Sequence, residues 1–115
     1  MFDRLFGRPA GSVPNISPRD AWERYSASNG DAVLIDVREV GEFARGHAKG
    51  ARNVPLSQLS RRIKEIPANK DVLLICQSGN RSMQAAHVLK SQGYERVSNI
   101  SGGTAVWRMS QLPME

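Results

Sequence analysis

Residues 71–94 read DVLLICQSGNRSMQAAHVLKSQGY, and this stretch decides the fold of the chain. Its first six residues form an apolar, β-branched run that predicts a buried strand. A polar loop that contains a glycine follows, and a helical pattern then begins around Arg81 or Ser82. Gly93 is placed to end that helix. The stretch therefore predicts a strand–loop–helix unit that carries Cys76, the only cysteine, to the end of its strand.

Outward from this unit, strand patterns alternate with helical patterns along the rest of the chain. The other predicted strands lie at 32–37 and 96–100, and a short strand runs into a turn within 51–56. The other predicted helices are one capped by Ser17 with Pro18 at its first position, one at 38–47, one at 57–66 capped by Ser57, and a short closing helix after a glycine turn within 102–112. Such alternation predicts an α/β domain with a mainly parallel sheet. Ligands of such sheets bind at the carboxyl ends of the strands, where Cys76 is placed.

The chain has 115 residues, of which 40% are hydrophobic and 23% charged, as expected for one compact domain. We expect residues 1–13, which are rich in Gly, Pro and Arg, to form a flexible tail, and 14–112 to form the folded domain. The longest apolar runs are far too short to span a bilayer, and the amino terminus lacks the apolar core of a secretory signal. We therefore expect no membrane partner.

A single cysteine cannot form an internal disulfide, which agrees with a reducing compartment and predicts a cytoplasmic protein. The net charge of +5 raises the alternative of nucleic-acid binding. The densest basic cluster, RRIK at 61–64, resembles the polar face of a short helix and has no aromatic residues interleaved with it. We therefore expect a solvated basic surface and no nucleic-acid partner.

The loop after Cys76 has the features of an anion-binding cup. The first amides of the following helix lack intrahelical partners, and the helix dipole adds partial positive charge. Gly79 permits a left-handed turn that points successive N–H groups inward. Such a cup lowers the pKa of a thiol and attracts an anionic substrate. The predicted binding residues are Gln77, Ser78, Gly79, Asn80, Arg81 and Ser82.

Two questions about this loop stay open from the residues alone. Cys76 could instead be an inert, buried strand cysteine, as free cysteines often are. Arg81 could contact the anion, or it could turn back and brace the loop on an acidic residue. Backbone N–H groups matter more to the cup than the identities of the side chains.

Other polar residues are candidates for supporting the site. These candidates are Asp36 and Arg38. Asp36 ends a neighbouring strand, where it could orient the site, but pairing with Arg38, Arg52 or a helix amino terminus is favoured. Arg38 could likewise pair within the edge of the core. A hydrogen bond that fixes its loop is favoured for His47 over a catalytic role. Two isolated histidines and one cysteine give no metal-ligand spacing, so we expect neither a metal nor a cofactor.

Three stretches together resemble the rhodanese-like sulfurtransferases. CQSGNR, which starts at Cys76, matches their C-x-x-G-x-R loop. LIDVREVGEFARGHAKGARNVPL (34–56) matches their D-V-R … G-H … P segment, and GYERVSNISGGTAVW (93–107) matches their carboxyl-terminal G-G-x-x-x-W segment. The resemblance covers roughly residues 15–110 and departs at Ala48, where a larger aliphatic residue is usual. It implies a central, mainly parallel five-stranded sheet with helices on both faces.

The resemblance also implies a chemistry. Cys76 attacks the outer sulfur of thiosulfate or a similar small anionic donor, sulfite leaves, and a persulfide remains on the cysteine. The chain has no second cysteine, so the acceptor is external: cyanide or a thiol, which could belong to a protein. An alternative is a carrier module that delivers persulfide sulfur to a partner. A cysteine-dependent phosphatase ranks low, because the related C-x5-R loop is one residue longer.

Overall fold

The computed structural model describes residues 12–115. Most of the predicted tail, residues 1–11, therefore lies outside the described residues. The described chain forms one sheet of five strands, which are β1 Asn15–Ile16, β2 Ala32–Asp36, β3 Arg52–Asn53, β4 Asp71–Ile75 and β5 Val97–Ile100. The strands are parallel and lie in the order β1-β5-β4-β2-β3.

Helices cover both faces of this sheet. They are α1 Pro18–Ala27, α2 Val40–Ala44, α3 Leu59–Arg62, α4 Asn80–Ser91 and α5 Gly103–Met109. Side chains alternate across a strand, so β2 sends Val33 to the core cluster shared with α3 and α4, and Leu34 to the cluster shared with α1 and α5. The predicted α/β class, with a parallel five-stranded sheet flanked by helices, is confirmed.

Element ends follow local chemistry at several positions. The Ser17 hydroxyl accepts from the Asp20 amide at 3.1 Å, so Ser17 caps α1 as predicted. Helix α4 begins at Asn80, slightly earlier than predicted, because Gly79 adopts φ +107° and acts as its N-cap. Gly93, at φ +94°, follows the end of α4 as predicted.

The helix predicted over 57–66 is wrong in its length and its cap. Two 3-10 turns, Leu56–Gln58 and Ile63–Glu65, flank the four-residue α3. The hydroxyl of Ser57 donates to the carboxylate of Glu39 at 3.0 and 3.2 Å, so this serine does not cap a helix.

The short strand predicted to run into a turn within 51–56 is β3, Arg52–Asn53. It ends before Pro55, which has no N–H for a strand ladder, and a 3-10 turn begins at Leu56. The helix predicted over 38–47 is limited to Val40–Ala44. Among residues 12–115, no helix is long and apolar enough to cross a membrane.

Candidate active site

Cys76 lies immediately after β4, at the carboxyl edge of the sheet, and its exposed fraction is only 1%. The chain then turns through Gly79 into α4. Gly79 has a left-handed φ, which side chains rarely adopt. A Cβ atom at this position would also lie only 3.4 Å from the backbone nitrogen of Gly102. Glycine at this position therefore lets the loop close around the cysteine side chain.

Hydrogen-bond donors converge on the sulfur from the loop and from the first turn of α4. The Gly79 amide lies 3.1 Å from Sγ of Cys76, and the Ser82 hydroxyl lies 3.3 Å from it. Burial raises the pKa of the Cys76 thiol, but the Ser82 hydroxyl and the backbone amides of Ser82, Gly79 and Ser78 outweigh it. The pKa of Cys76 consequently lies below its ordinary value, as predicted for an anion-binding cup.

The start of α5 holds the backbone of the cysteine from behind. The amide and the hydroxyl of Thr104 both donate to the carbonyl oxygen of Cys76, at 2.8 and 3.1 Å. Gly103 adopts φ +58°, and a Cβ atom there would lie 2.4 Å from that oxygen. The close approach of the two backbones thus requires glycine at position 103. Neither contact was predicted, since both join residues distant in sequence.

Comparisons with known proteins agree with this geometry. The family model described as "Rhodanese-like domain" matches residues 17–110. The chain belongs to the rhodanese-like domain family. A thiosulfate sulfurtransferase, GlpE of Glaesserella parasuis, is 34% identical over 100 residues, which cover 87% of this chain and 91% of that protein.

Two further relatives bear on this rhodanese-like domain. The putative sulfur carrier protein YrkF of Bacillus subtilis is 35% identical over 85% of this chain, which spans about half (52%) of YrkF. The solved rhodanese-like domain of the Anabaena protein Alr3790 superposes with a TM-score of 0.80 at 26% identity, over 90% of this chain and 80% of that one. Sulfur transfer or carriage is thus named among relatives of the chain.

Arg81 of the rhodanese-like domain braces the loop on an acidic residue. Its guanidinium forms a bidentate ion pair with Glu42 of α2, with Nη1–Oε1 at 2.7 Å and Nη2–Oε2 at 2.9 Å. The hydrogen bonds from Arg81 lower the pKa of Glu42 to about 2, while burial opposes them. The bracing alternative is therefore the one observed in this structure, and α4 is tied to α2 beside the cup.

Asp36 and Arg38 form a buried pair at the end of β2. Nη2 of Arg38 lies 2.8 Å from Oδ2 of Asp36 and also donates to the carbonyl of Gly46 at 2.8 Å. The side-chain Nδ2 of Asn53 donates to the carbonyl oxygens of Asp36 and Arg38, which links β3 to the same turn. Within residues 12–115, no hydrogen bond joins the Asp36 or Arg38 side chains to loop 76–82. The pairing of Asp36 with Arg38 is one of the alternatives predicted from the sequence.

His47 fixes its own loop. Its Nδ1 lies 2.9 Å from the carbonyl oxygen of Phe43, and the two rings stack with centroids 3.6 Å apart. This contact agrees with the favoured expectation for His47. Over the part of the chain that the structure describes, no group of three or more His, Cys, Asp or Glu could hold a metal ion.

Asn99 is a polar residue near the cup that was not predicted. It lies in β5, is 3% exposed, and accepts from the Ser82 hydroxyl at Oδ1 over 2.5 Å. Its Nδ2 donates to the carbonyl of Gly79 at 3.2 Å and to Oδ1 of Asn15 at 2.9 Å. A signal was present in the sequence, because an asparagine within a predicted buried strand needs a hydrogen-bonding partner.

The loop residues that are exposed to solvent are Gln77, Ser78 and Asn80, and the side chain of Arg81 is partly exposed beside them. Beside them lies an open cavity of about 360 Å³, whose lining includes Ser78, Asn80, Met83 and Asn99. The cup therefore has a buried sulfur at its base and a polar, accessible rim.

Proposed function

We propose that this rhodanese-like domain is a sulfurtransferase that uses Cys76 as its nucleophile. It takes sulfane sulfur from thiosulfate or a similar small anionic donor and passes it to a thiophilic acceptor. The observation that carries the proposal is the convergence of the Gly79 amide and the Ser82 hydroxyl on Sγ, at 3.1 and 3.3 Å, with a lowered thiol pKa. In this proposal, the binding loop comprises Gln77, Ser78, Gly79, Asn80, Arg81 and Ser82.

The first half-reaction loads the cysteine. The Cys76 thiolate attacks the outer sulfur of thiosulfate, an Sγ–S bond forms, and the S–S bond of thiosulfate breaks. Sulfite leaves with the electron pair as a stable anion, so this step needs no general acid. The product is a persulfide anion whose charge lies at the outer sulfur. This is nucleophilic covalent catalysis, and ping-pong kinetics are expected.

The second half-reaction unloads the sulfur. An acceptor such as cyanide attacks the outer sulfur, and the Cys76 thiolate leaves, which gives thiocyanate in that case. A thiolate of low pKa is a better leaving group, so the donors around Sγ favour this step too. Because Cys76 is the only cysteine, the acceptor is external, either cyanide or a thiol that could belong to a protein. The reducing compartment that suits a lone thiol is the cytoplasm.

Loop length and the state of Arg81 favour sulfur transfer over phosphate-ester hydrolysis. Only four residues separate Cys76 from Arg81. A phosphoryl group in transfer carries charge on three equatorial oxygens that need stabilising groups. The guanidinium of Arg81 is already engaged by both carboxylate oxygens of Glu42. We assign Asp36 and Arg38 to support of the sheet edge, as a buried pair.

The second candidate function is a carrier that holds persulfide sulfur for a partner protein. The similarity to the putative sulfur carrier protein of Bacillus subtilis favours it. Both candidates use a persulfide on Cys76, and they differ in turnover. A sulfurtransferase produces thiocyanate continuously from thiosulfate and cyanide, whereas a carrier is loaded and releases its sulfur only to its partner.

Intact-protein mass spectrometry after incubation with thiosulfate tests the proposal. We expect a mass gain of one sulfur atom that cyanide removes and that is absent from Cys76→Ser. A protein first alkylated at its single thiol is the second control and gains nothing. Absence of the sulfur adduct together with hydrolysis of an aryl phosphate would contradict the proposal.

A further inference from the structure

The hydroxyl of Ser82 lies between two acceptors. Its Oγ is 3.3 Å from Sγ of Cys76 and 2.5 Å from Oδ1 of Asn99. A serine hydroxyl has one proton, so it donates to only one of them at a time. Ser82, Cys76 and Asn99 are 0%, 1% and 3% exposed, so bulk water does not reach them to supply a second proton. The sulfur and the amide oxygen therefore compete for the same proton.

The orientation of the Asn99 amide is fixed by its other contacts. Its Nδ2 donates to the backbone carbonyl of Gly79 at 3.2 Å and to Oδ1 of Asn15 at 2.9 Å. If the amide were turned over, its oxygen would face the Gly79 carbonyl, which cannot donate. Oδ1 of Asn99 consequently faces Ser82, and towards Ser82 this oxygen can only accept.

We propose that Asn99 is a positioning residue that holds the Ser82 proton away from the sulfur while Cys76 is uncharged and yields it when the sulfur becomes a thiolate. In the thiol state, the S–H donates to Oγ of Ser82, and Ser82 donates to Asn99. In the thiolate state the hydroxyl turns to Sγ, because a hydrogen bond to an ionised acceptor is roughly twice as strong as a neutral one.

The functional role that we give to the competition between Sγ and Asn99 for the Ser82 proton rests on the proposed sulfur-transfer function. In the persulfide the charge moves to the outer sulfur, Sγ becomes neutral, and the hydroxyl returns to Asn99. The intrinsic nucleophilicity of a thiolate falls as its pKa falls. By competing for the proton, Asn99 keeps the Cys76 thiolate more basic than the other donors alone would leave it. Ser82 and Asn99 thus act on the ionisation of Cys76 with opposite signs.

The charged groups nearest Cys76 are held in ion pairs. Arg81 faces the sulfur from α4 and is neutralised by Glu42 of α2, whose pKa is about 2. Asp36 at the end of β2 is held by Arg38. On the opposite side, the residues of β5 and of the first turn of α5 are all uncharged. A thiol titration therefore reports on Cys76 and its hydrogen bonds.

The test follows the ultraviolet absorbance of the thiolate against pH in variants of the full chain. Ser82→Ala lowers the thiolate-to-thiol ratio at a fixed pH roughly tenfold, the value of one hydrogen bond to a charged group. Asn99→Ala raises that ratio several-fold, but it has no such effect in the Ser82→Ala background. Ser82→Thr, which keeps a hydroxyl, restores the normal ratio. Ser91→Ala, the same change at the far end of α4, leaves it unaltered.

The proposal is overturned if Asn99→Ala lowers the thiolate-to-thiol ratio, as a loosened loop would. It is also overturned if Asn99→Ala changes that ratio equally with and without the Ser82 hydroxyl. If Asn99→Ala does not fold, Asn99→Asp replaces it. The aspartate strengthens the competing acceptor, so it has to lower the ratio more with Ser82 than with Ser82→Ala; an equal effect overturns the proposal. Sulfur loading is scored separately by mass. Normal loading with the wrong titration pattern contradicts this inference alone, and the expected pattern without loading contradicts the proposed function alone.

Discussion

At the scale of single residues, the charge of Arg81 is committed to Glu42. The bidentate geometry is typical of a strong arginine–carboxylate pair, and it ties the first turn of α4 to α2. The Arg81 side chain is 36% exposed, so solvent screening reduces the contribution of the pair to stability. The contribution of Arg81 at the cup is thus to hold the loop in place against α2.

This ion pair predicts a pH-dependent stability. The pKa of Glu42 is lowered from 4.5 to about 2 in the folded protein, so its stabilisation is present above pH 4.5 and is lost as the pH falls towards 2. Glu42→Gln should lower the free energy of unfolding at pH 7 by about 1 kcal/mol, after allowance for screening. Urea denaturation from pH 7 down to pH 3 measures the difference, which should narrow below 4.5.

The exposed pair of Arg62 with Glu65 supplies the control for that measurement. Arg62 and Glu65 form an ion pair at 2.7 Å, and the Glu65 side chain is 53% exposed. Glu65→Gln should therefore change stability little at any pH. A difference for Glu42→Gln that stays constant across the pH range would show that the stabilisation does not come from ionised Glu42.

At the scale of elements, local sequence patterns predict the bounds of a strand accurately only where nearly all of its residues are buried. Strands β2 and β4 are apolar along nearly their whole length and were predicted to within a residue. Strand β1 was not predicted: it has two residues, too few for any periodicity, and it exists because Asn15 pairs with Asn99. The cup was predictable because its donors lie within six residues of Cys76. The contacts of Asn99 and Thr104 were not, since they depend on how β5 and α5 pack.

The junction between β4 and the start of α5 leads to a prediction about Gly103. Gly103→Ala combines a left-handed φ of +58° with a Cβ atom 2.4 Å from the Cys76 carbonyl oxygen. The strain alone costs about 1–2 kcal/mol, and the clash adds to it. We expect a loss of about 3 kcal/mol or more in unfolding free energy and slower persulfide formation. Urea denaturation and the rate of sulfur loading measure these effects.

Gly30→Ala is the matched control. Gly30 has φ +92° but no atom within 4 Å of the added Cβ, so this variant incurs only the backbone strain, without a clash, and loads sulfur normally. Equal effects of the two substitutions on stability and on loading would mean that the approach of α5 to the cysteine does not shape the site.

At the scale of the whole molecule, the net charge of +5 bears on the encounter with the anionic donor that we propose. The amino terminus of α4 and the sulfur of Cys76 lie at the same edge of the sheet. A positive field over the protein raises the local concentration of small anions, and salt screens it, with a Debye length of about 8 Å at physiological ionic strength.

This field predicts that the rate constant for loading Cys76 from thiosulfate falls several-fold as sodium chloride rises from low concentration to about 1 M. Reaction of the same thiolate with neutral iodoacetamide is the control, because it senses the ionisation of Cys76 but is not attracted by the field. Rapid mixing with mass detection measures both rates at a pH where the thiol is ionised. If the two rates change in parallel, salt acts on the thiolate itself, and the positive surface does not steer the donor. If only the thiosulfate rate falls, the charge of the whole domain contributes to capture while the cup provides the chemistry.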